Sequence, residues 1–209
     1  MQRRTFLAGA GATLVAALGM GSWPARAADV SLNDVLHDPE APEGGNPKGD
    51  LTIVAFTDYN CPFCKKAEPD LARAVKEDGN IRLVYKDWPI LTQASVYGAR
   101  MALAAGYQGA YERAHHALMS ITGRGVSQED MEKAIAAAGV DMPRLKADLE
   151  AHKKDITALL ARNMDQADAL GLQGTPTYLV GPLLASTLDY DGFREVIAEA
   201  RRRQDGDSK

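Results

Sequence analysis

Two cysteines are all that the 209 residues contain, and the four histidines are scattered as His37, His115, His116 and His152. A zinc site usually needs four ligands, and this supply shows no such set, so no metal site is expected. The phosphate-cradling patterns GxGxxG and GxxxxGK[ST] are absent, and no Ser/His/Asp arrangement stands out. His115-His116 reads as a solvated or partly packed pair on a helix. There is no internal repeat. No apolar run reaches the roughly 20 residues that span a bilayer; Phe6 to Met20 comes nearest, with about 15. Positive charge is not in excess either, since 24 Lys+Arg face 28 Asp+Glu.

The first residues have the make-up of an export leader. Arg3 and Arg4 precede the apolar stretch, and Ala25-Arg26-Ala27 forms an A-x-A cleavage site. Gln2-Arg3-Arg4-Thr5-Phe6-Leu7 also has the look of a twin-arginine signal. Residues 1–27 are therefore expected to be a signal peptide, with the mature protein in the periplasm. Cleavage there removes three arginines and no acid, leaving 21 basic against 28 acidic residues, a net charge of −7. That balance argues against nucleic acid or an anionic membrane as partner.

The two cysteines carry the chemistry. They stand in Cys61-Pro62-Phe63-Cys64, directly after the apolar run Leu51–Phe56 and before a helical pattern. A CxxC at a strand-to-helix junction is a redox signature. The reactive form of cysteine is the thiolate, and a helix start offers unpaired N–H groups and the positive end of the macrodipole. Cys61 lies at that end, where its thiol pKa falls, and Cys64 lies one turn further in. Pro62 suits a first helical turn, where its missing N–H goes unmissed. A purely structural disulfide fits poorly, because so small a loop gains little entropy and is often strained. In an oxidising compartment a lone CxxC works as an exchangeable disulfide.

The rest of the chain alternates between α/β and all-α character. Residues 28–49 are a polar lead-in rich in Pro and Gly, where Ser31-x-x-Asp34 caps at most a short turn. Leu51–Thr57 is a strand covered on both faces. Cys61 to about Asp78 is a helix kinked at Pro69, and Ile81–Lys86 is a second strand. From 92 to 171, alanine-rich helical segments follow one another with no strand signal. Gly174–Gly181 brings strand character back, Leu183–Leu188 pairs with it, and a helix capped by Asp189 or Asp191 runs to about Arg202. Residues 204–209 are a solvated tail.

Strand, CPFC, kinked helix, strand, helical insertion, Thr175-Pro176, strands, helix: the order resembles the DsbA-like family of exported thiol–disulfide oxidoreductases. The branch with CP[FY]C preceded by Asp-Tyr-Asn is most similar, over about Gly45 to Arg202. The resemblance implies an α/β architecture: a thioredoxin fold formed by residues 50–91 and 172–203, with an all-helical domain inserted at 92–171. It implies Cys61 as nucleophile, Cys64 as resolving cysteine and Pro62 as a modulating residue. It makes Pro176 a cis proline beside the cysteines and leaves the Thr175 backbone free to pair with a substrate peptide. Tyr59, Phe63, Trp88 and Tyr178 are candidate surface around the site, with a core role the alternative for Trp88. No cofactor beyond a redox-active Cys61–Cys64 disulfide is implied. The expected partners are reduced exported proteins and a membrane or periplasmic redox protein, and a monomer is expected.

Two positions depart from the family pattern. The buried acid often found six residues before the first cysteine is replaced by Ala55. Lys86 then lacks its usual counter-charge, and it either snorkels out or pairs with Asp58 or Asp87. Phe63 occupies the place where the strongest oxidants carry histidine, so a less oxidising couple is expected. Two other functions use the same residues: a disulfide isomerase or reductase, and a non-enzymatic peptide- or copper-binding protein.

Overall fold

The computed structural model describes residues 31–207 except Arg124. The expected signal peptide lies outside them. Among the described residues, no helix is long and apolar enough to cross a membrane.

Five strands form one sheet in the order β1-β3-β2-β4-β5. The centre is β2 (Leu51–Thr57) beside β3 (Ile81–Asp87), a parallel pair with Ala55 opposite Tyr85 and Phe56 opposite Lys86. Parallel strands need a crossover, and α2 (Pro62–Asp78) supplies it. Gly79 ends α2 in the left-handed conformation (φ 70°), and its N–H closes on the Val75 carbonyl. On the other side of β2 lie β4 (Thr177–Val180) and then β5 (Leu183–Ser186), both antiparallel to their neighbours.

The lead-in is more structured than its composition suggests. Ser31 and Asp34 form a reciprocal capping box on α1 (Leu32–Leu36). Glu43–Gly45 then forms β1, an antiparallel edge strand on β3. Two glycines and a flanking proline hid it, because its pairing comes from β3 and not from its own propensity.

Between β3 and β4 lie α3 (Gln93–Gly106), α4 (Tyr111–Ser120), α5 (Gln128–Ala137), α6 (Met142–Ala151) and α7 (Lys153–Ala169). Asp189 accepts a hydrogen bond from the Gly192 N–H and so caps α8 (Tyr190–Asp207). That helix runs five residues past the expected end at Arg202, into the segment read as a tail.

The sheet separates two apolar cores. One face packs Ile53, Ala55, Tyr85 and Tyr178 with both cysteines, α2, α8 and the helical block. The other packs Val54, Phe56, Val84 and Trp88 with Val35 of α1 and Ala167 of α7. Trp88 is thus a core residue, edge-on to Phe56 at 6.1 Å.

Candidate active site

The loop before α2 is fixed by its own side chains. Asp58, fully buried, accepts hydrogen bonds from the backbone N–H groups of Asn60 (2.7 Å) and Leu91 (3.0 Å). Asn60 accepts from the Val126 N–H (2.8 Å) and donates to the Thr92 hydroxyl (3.1 Å). Tyr59 reaches α4, its hydroxyl 2.9 Å from His115 Nδ1. Asp58-Tyr59-Asn60 therefore ties the cysteine loop to the helical block. Close approach is needed here: a Cβ on Gly98 would lie 3.0 Å from Met131 Sδ and 3.4 Å from the Tyr59 ring.

Cys61 is the N-cap of α2 and Pro62 its first residue. Cys61 Sγ accepts from the Cys64 N–H (3.3 Å), and its thiol donates to the Thr175 carbonyl (3.2 Å). Both cysteines are thiols in this structure. The Cys64 thiol, hydrogen-bonded to Cys61, does most to lower the Cys61 pKa. Burial opposes it, and Thr175 and the N–H groups of Cys64 and Phe63 add to it, leaving the value at about 6. Burial drives the Cys64 thiol far the other way. The helix start foreseen from sequence contributes those N–H groups, but the neighbouring thiol contributes more.

The Thr175–Pro176 peptide is cis. Thr175 is half-buried and Pro176 buried, and the Thr175 hydroxyl has no hydrogen-bond partner among the described residues. Phe63 is 57 % exposed, an apolar ring standing in solvent beside the cysteines. The other expected surface residues are elsewhere. Tyr59 and Tyr178 are each 1 % exposed and belong to the core, so neither offers surface to a visiting chain. Cys61 is more covered than its role suggested, with 3 % exposure.

Lys86 does not follow its expected course. It is fully buried and binds Asp38 at 2.9 Å, not Asp58 or Asp87. Asp38, from the lead-in, is also gripped by both ends of the Arg162 guanidinium (2.8 and 3.0 Å). Burial would raise the Asp38 pKa; hydrogen bonds from Arg162 and Lys86 more than reverse this, to about 2. In register with Phe56, Lys86 points to the face away from the cysteines. Asp38 thus compensates the charge of Lys86 without replacing the missing acid at Ala55. On the cysteine face Ala55 is flanked by Tyr85 and Tyr178.

That face holds a polar cluster that sequence did not show. Glu68, on α2 one turn after Cys64, is buried. His115 Nε2 and His116 Nδ1 lie 3.2 and 3.1 Å from one of its oxygens. Burial alone would raise the Glu68 pKa, and the two imidazoles bring it down to about 2. His115 is 1 % exposed, so the solvated or partly packed pair expected from sequence divides into one core and one surface histidine. Glu68 stands 47 and 48 residues from these partners, beyond any local pattern. The only sequence signal was a charged residue on the helix face that carries Cys64.

Comparison with known proteins agrees with this geometry. The family model for thioredoxin matches residues 38–199. A thioredoxin-like oxidoreductase from Silicibacter pomeroyi DSS-3 is 38 % identical, with a TM-score of 0.77 over 83 % of this chain and 99 % of that one. The thiol–disulfide exchange protein alpha-DsbA2 from Wolbachia pipientis is 28 % identical, with a TM-score of 0.75 over 80 % and 90 %. Among curated relatives, a probable disulfide bond formation protein D of Bacillus cereus is 26 % identical, over 73 % of this chain and 75 % of its own length. The chain is also 30 % identical to part of the Na(+)/H(+) antiporter NhaA 1 of Salinispora arenicola; the match covers 68 % of this chain but 22 % of that protein. With the fold, the cysteine pair and these relatives together, the chain belongs to the thioredoxin family, among thiol–disulfide oxidoreductases of the DsbA type.

Proposed function

We propose that the protein forms disulfides in exported proteins by dithiol–disulfide exchange through Cys61-Pro62-Phe63-Cys64, in the periplasm. The observation that carries this reading is the asymmetry of the two sulfurs. Cys61, with its pKa near 6, is a good leaving group and a stable thiolate at neutral pH. Cys64, buried beneath it, stays a thiol.

The cycle starts from the Cys61–Cys64 disulfide. A substrate thiolate attacks Cys61, a mixed disulfide forms, and Cys64 leaves as a thiolate that takes up a proton. A second substrate thiolate then attacks the substrate sulfur and releases Cys61 as a thiolate. The substrate is oxidised by two electrons and the enzyme is reduced by two. A stabilised Cys61 thiolate favours the reduced enzyme and so drives oxidation. Phe63 supplies exposed apolar surface for an unfolded chain. The Thr175 carbonyl, now held by the Cys61 thiol, is freed in the disulfide form to pair with a substrate backbone. A membrane or periplasmic redox protein reoxidises the pair.

The test combines two measurements: the Cys61–Cys64 reduction potential, and activity on reduced and on scrambled substrates. Rapid oxidation of a reduced substrate without recovery of a scrambled one is expected. The potential should lie below the extreme of about −120 mV, because Phe63 offers no hydrogen bond to the thiolate. Efficient rescue of scrambled substrate, with the enzyme kept reduced, would replace this reading by an isomerase.

A further inference from the structure

Glu68, His115 and His116 converge from two helices at a place the thiol chemistry does not use. Three donor atoms, one from each residue, lie within 4.8 Å of one another. Zinc held by nitrogen and carboxylate oxygen at about 2.0–2.1 Å in a tetrahedron separates its ligands by roughly 3.3–3.4 Å. The two edges from Glu68, at 3.2 and 3.1 Å, already approach that spacing.

His115 adds an independent observation. Its Nε2 is buried and, although 3.2 Å from a Glu68 oxygen, makes no aligned hydrogen bond among the described residues. A buried polar atom left without a partner is costly and asks for an explanation. The opposite nitrogen is held, with Nδ1 2.9 Å from the Tyr59 hydroxyl. Asp87, buried beyond, accepts from the Tyr111 hydroxyl (3.1 Å). In the tautomer whose Nδ1–H donates to the Tyr59 oxygen, the Nε2 lone pair faces Glu68 and His116. A hydroxyl behind a histidine in this way holds its ring orientation for an ion on the other side.

The site has an entrance. Glu68 and His116 line a cavity of about 550 Å³ that reaches Pro62 at the start of α2. The His116 side chain is 47 % exposed. An ion can enter there, and the open side leaves a fourth position for water.

We propose that Glu68, His115 and His116 bind a single zinc-class divalent ion through two imidazole nitrogens and one carboxylate oxygen. Two nitrogens and one oxygen suit zinc and its transition-metal neighbours rather than calcium or magnesium. The ligand set contains no thiolate, so the ion binds whichever redox state the cysteines hold.

Zinc titration by calorimetry, on the untagged full chain carrying C61S and C64S, tests this with the thiols removed. One ion per chain is expected. His116→Ala alters a half-exposed residue; its melting temperature should stay close to the parent's while zinc affinity falls at least about 100-fold. Tyr59→Phe touches no ion and should lower affinity about 10-fold, the range for lost orienting partners. A merely packed Tyr59 would leave the affinity unmoved. Binding no tighter than about 1 mM, a stoichiometry other than one, or undiminished affinity in His116→Ala overturns the proposal.

Discussion

Each face of the sheet buries a carboxylate among nitrogen bases, and the two faces close the charge differently. Away from the cysteines, Asp38 sits between the Lys86 amine and the Arg162 guanidinium, and each of its oxygens has a partner. On the cysteine side, Glu68 meets two imidazoles, which carry charge only when protonated, and one of their nitrogens is left over. The first arrangement joins the lead-in, β3 and α7, and is complete within the protein. The second is conditional and borders a cavity. A buried carboxylate whose oxygens are all taken acts as structure, whereas one with imidazole partners and an open side is available for chemistry.

Removing the reactive sulfur gives the largest functional effect on the cysteine face. Cys61→Ser should reduce oxidation of a dithiol peptide to background and leave the melting temperature of the reduced protein within a few degrees. If Cys64→Ser were silenced while Cys61→Ser stayed active, the assigned order of the two sulfurs would be reversed.

Breaking the other face should act on stability instead. Asp38→Ala strands Lys86 in the core, and a broken buried pair typically costs about 3–5 kcal/mol. Urea unfolding should show that loss, and thiol exchange well below the transition should stay near the parental rate. A loss of exchange without a loss of stability would mean that Lys86 reaches the cysteines after all.

Acid should reveal the same contact on a smaller scale. The Asp38 carboxyl is depressed from 3.8 to about 2 in the folded protein. Its contribution is therefore fully present above about pH 4 and is lost as pH falls toward 2, amounting to about 2 kcal/mol. Comparing acid unfolding of the parent with Asp38→Asn isolates it; parallel pH curves would discount the pair.

The thiolate is expected at a midpoint near pH 6 in ultraviolet absorbance, from Cys61 alone, with Cys64 silent through the neutral range. Because that pKa is lowered on folding, the reduced protein should gain stability relative to the disulfide form between about pH 6 and 9. A stability difference that does not change over that range would place the thiolate without its hydrogen bonds. The smallest effect belongs to Phe63→Ala, exposed and outside the core. Stability should change by less than about 0.5 kcal/mol, with a several-fold loss in exchange with an unfolded chain and none with a small thiol.

Much of this was legible along the chain. The run Leu51–Thr57, the proline at the start of α2, Gly79 at its end and the capping pair Ser31/Asp34 all report local conformation, which neighbouring residues fix. Strand β1 was not legible, because three residues with two glycines become a strand only where β3 accepts them. The roles of Tyr59 and Tyr178 could not be read either. An aromatic residue beside a cysteine pair serves surface or core equally well until the packing is known. The partner of Lys86 was hidden for a related reason: Asp38 lies 48 residues away in the lead-in, and only the folding of that segment against β3 brings it to the amine.

By itself the sequence determined the cysteine pair at a strand-to-helix junction, the α/β–helical–α/β order and the local caps. These depend on spacing and short-range hydrogen bonding, which a linear chain displays. Only the tertiary structure decided that Asp38 answers Lys86, that Tyr59 and His115 are interior, and that Glu68 meets two histidines from another helix. Burial and charge pairing are set by which surfaces fold together, and desolvation gives those contacts their strength.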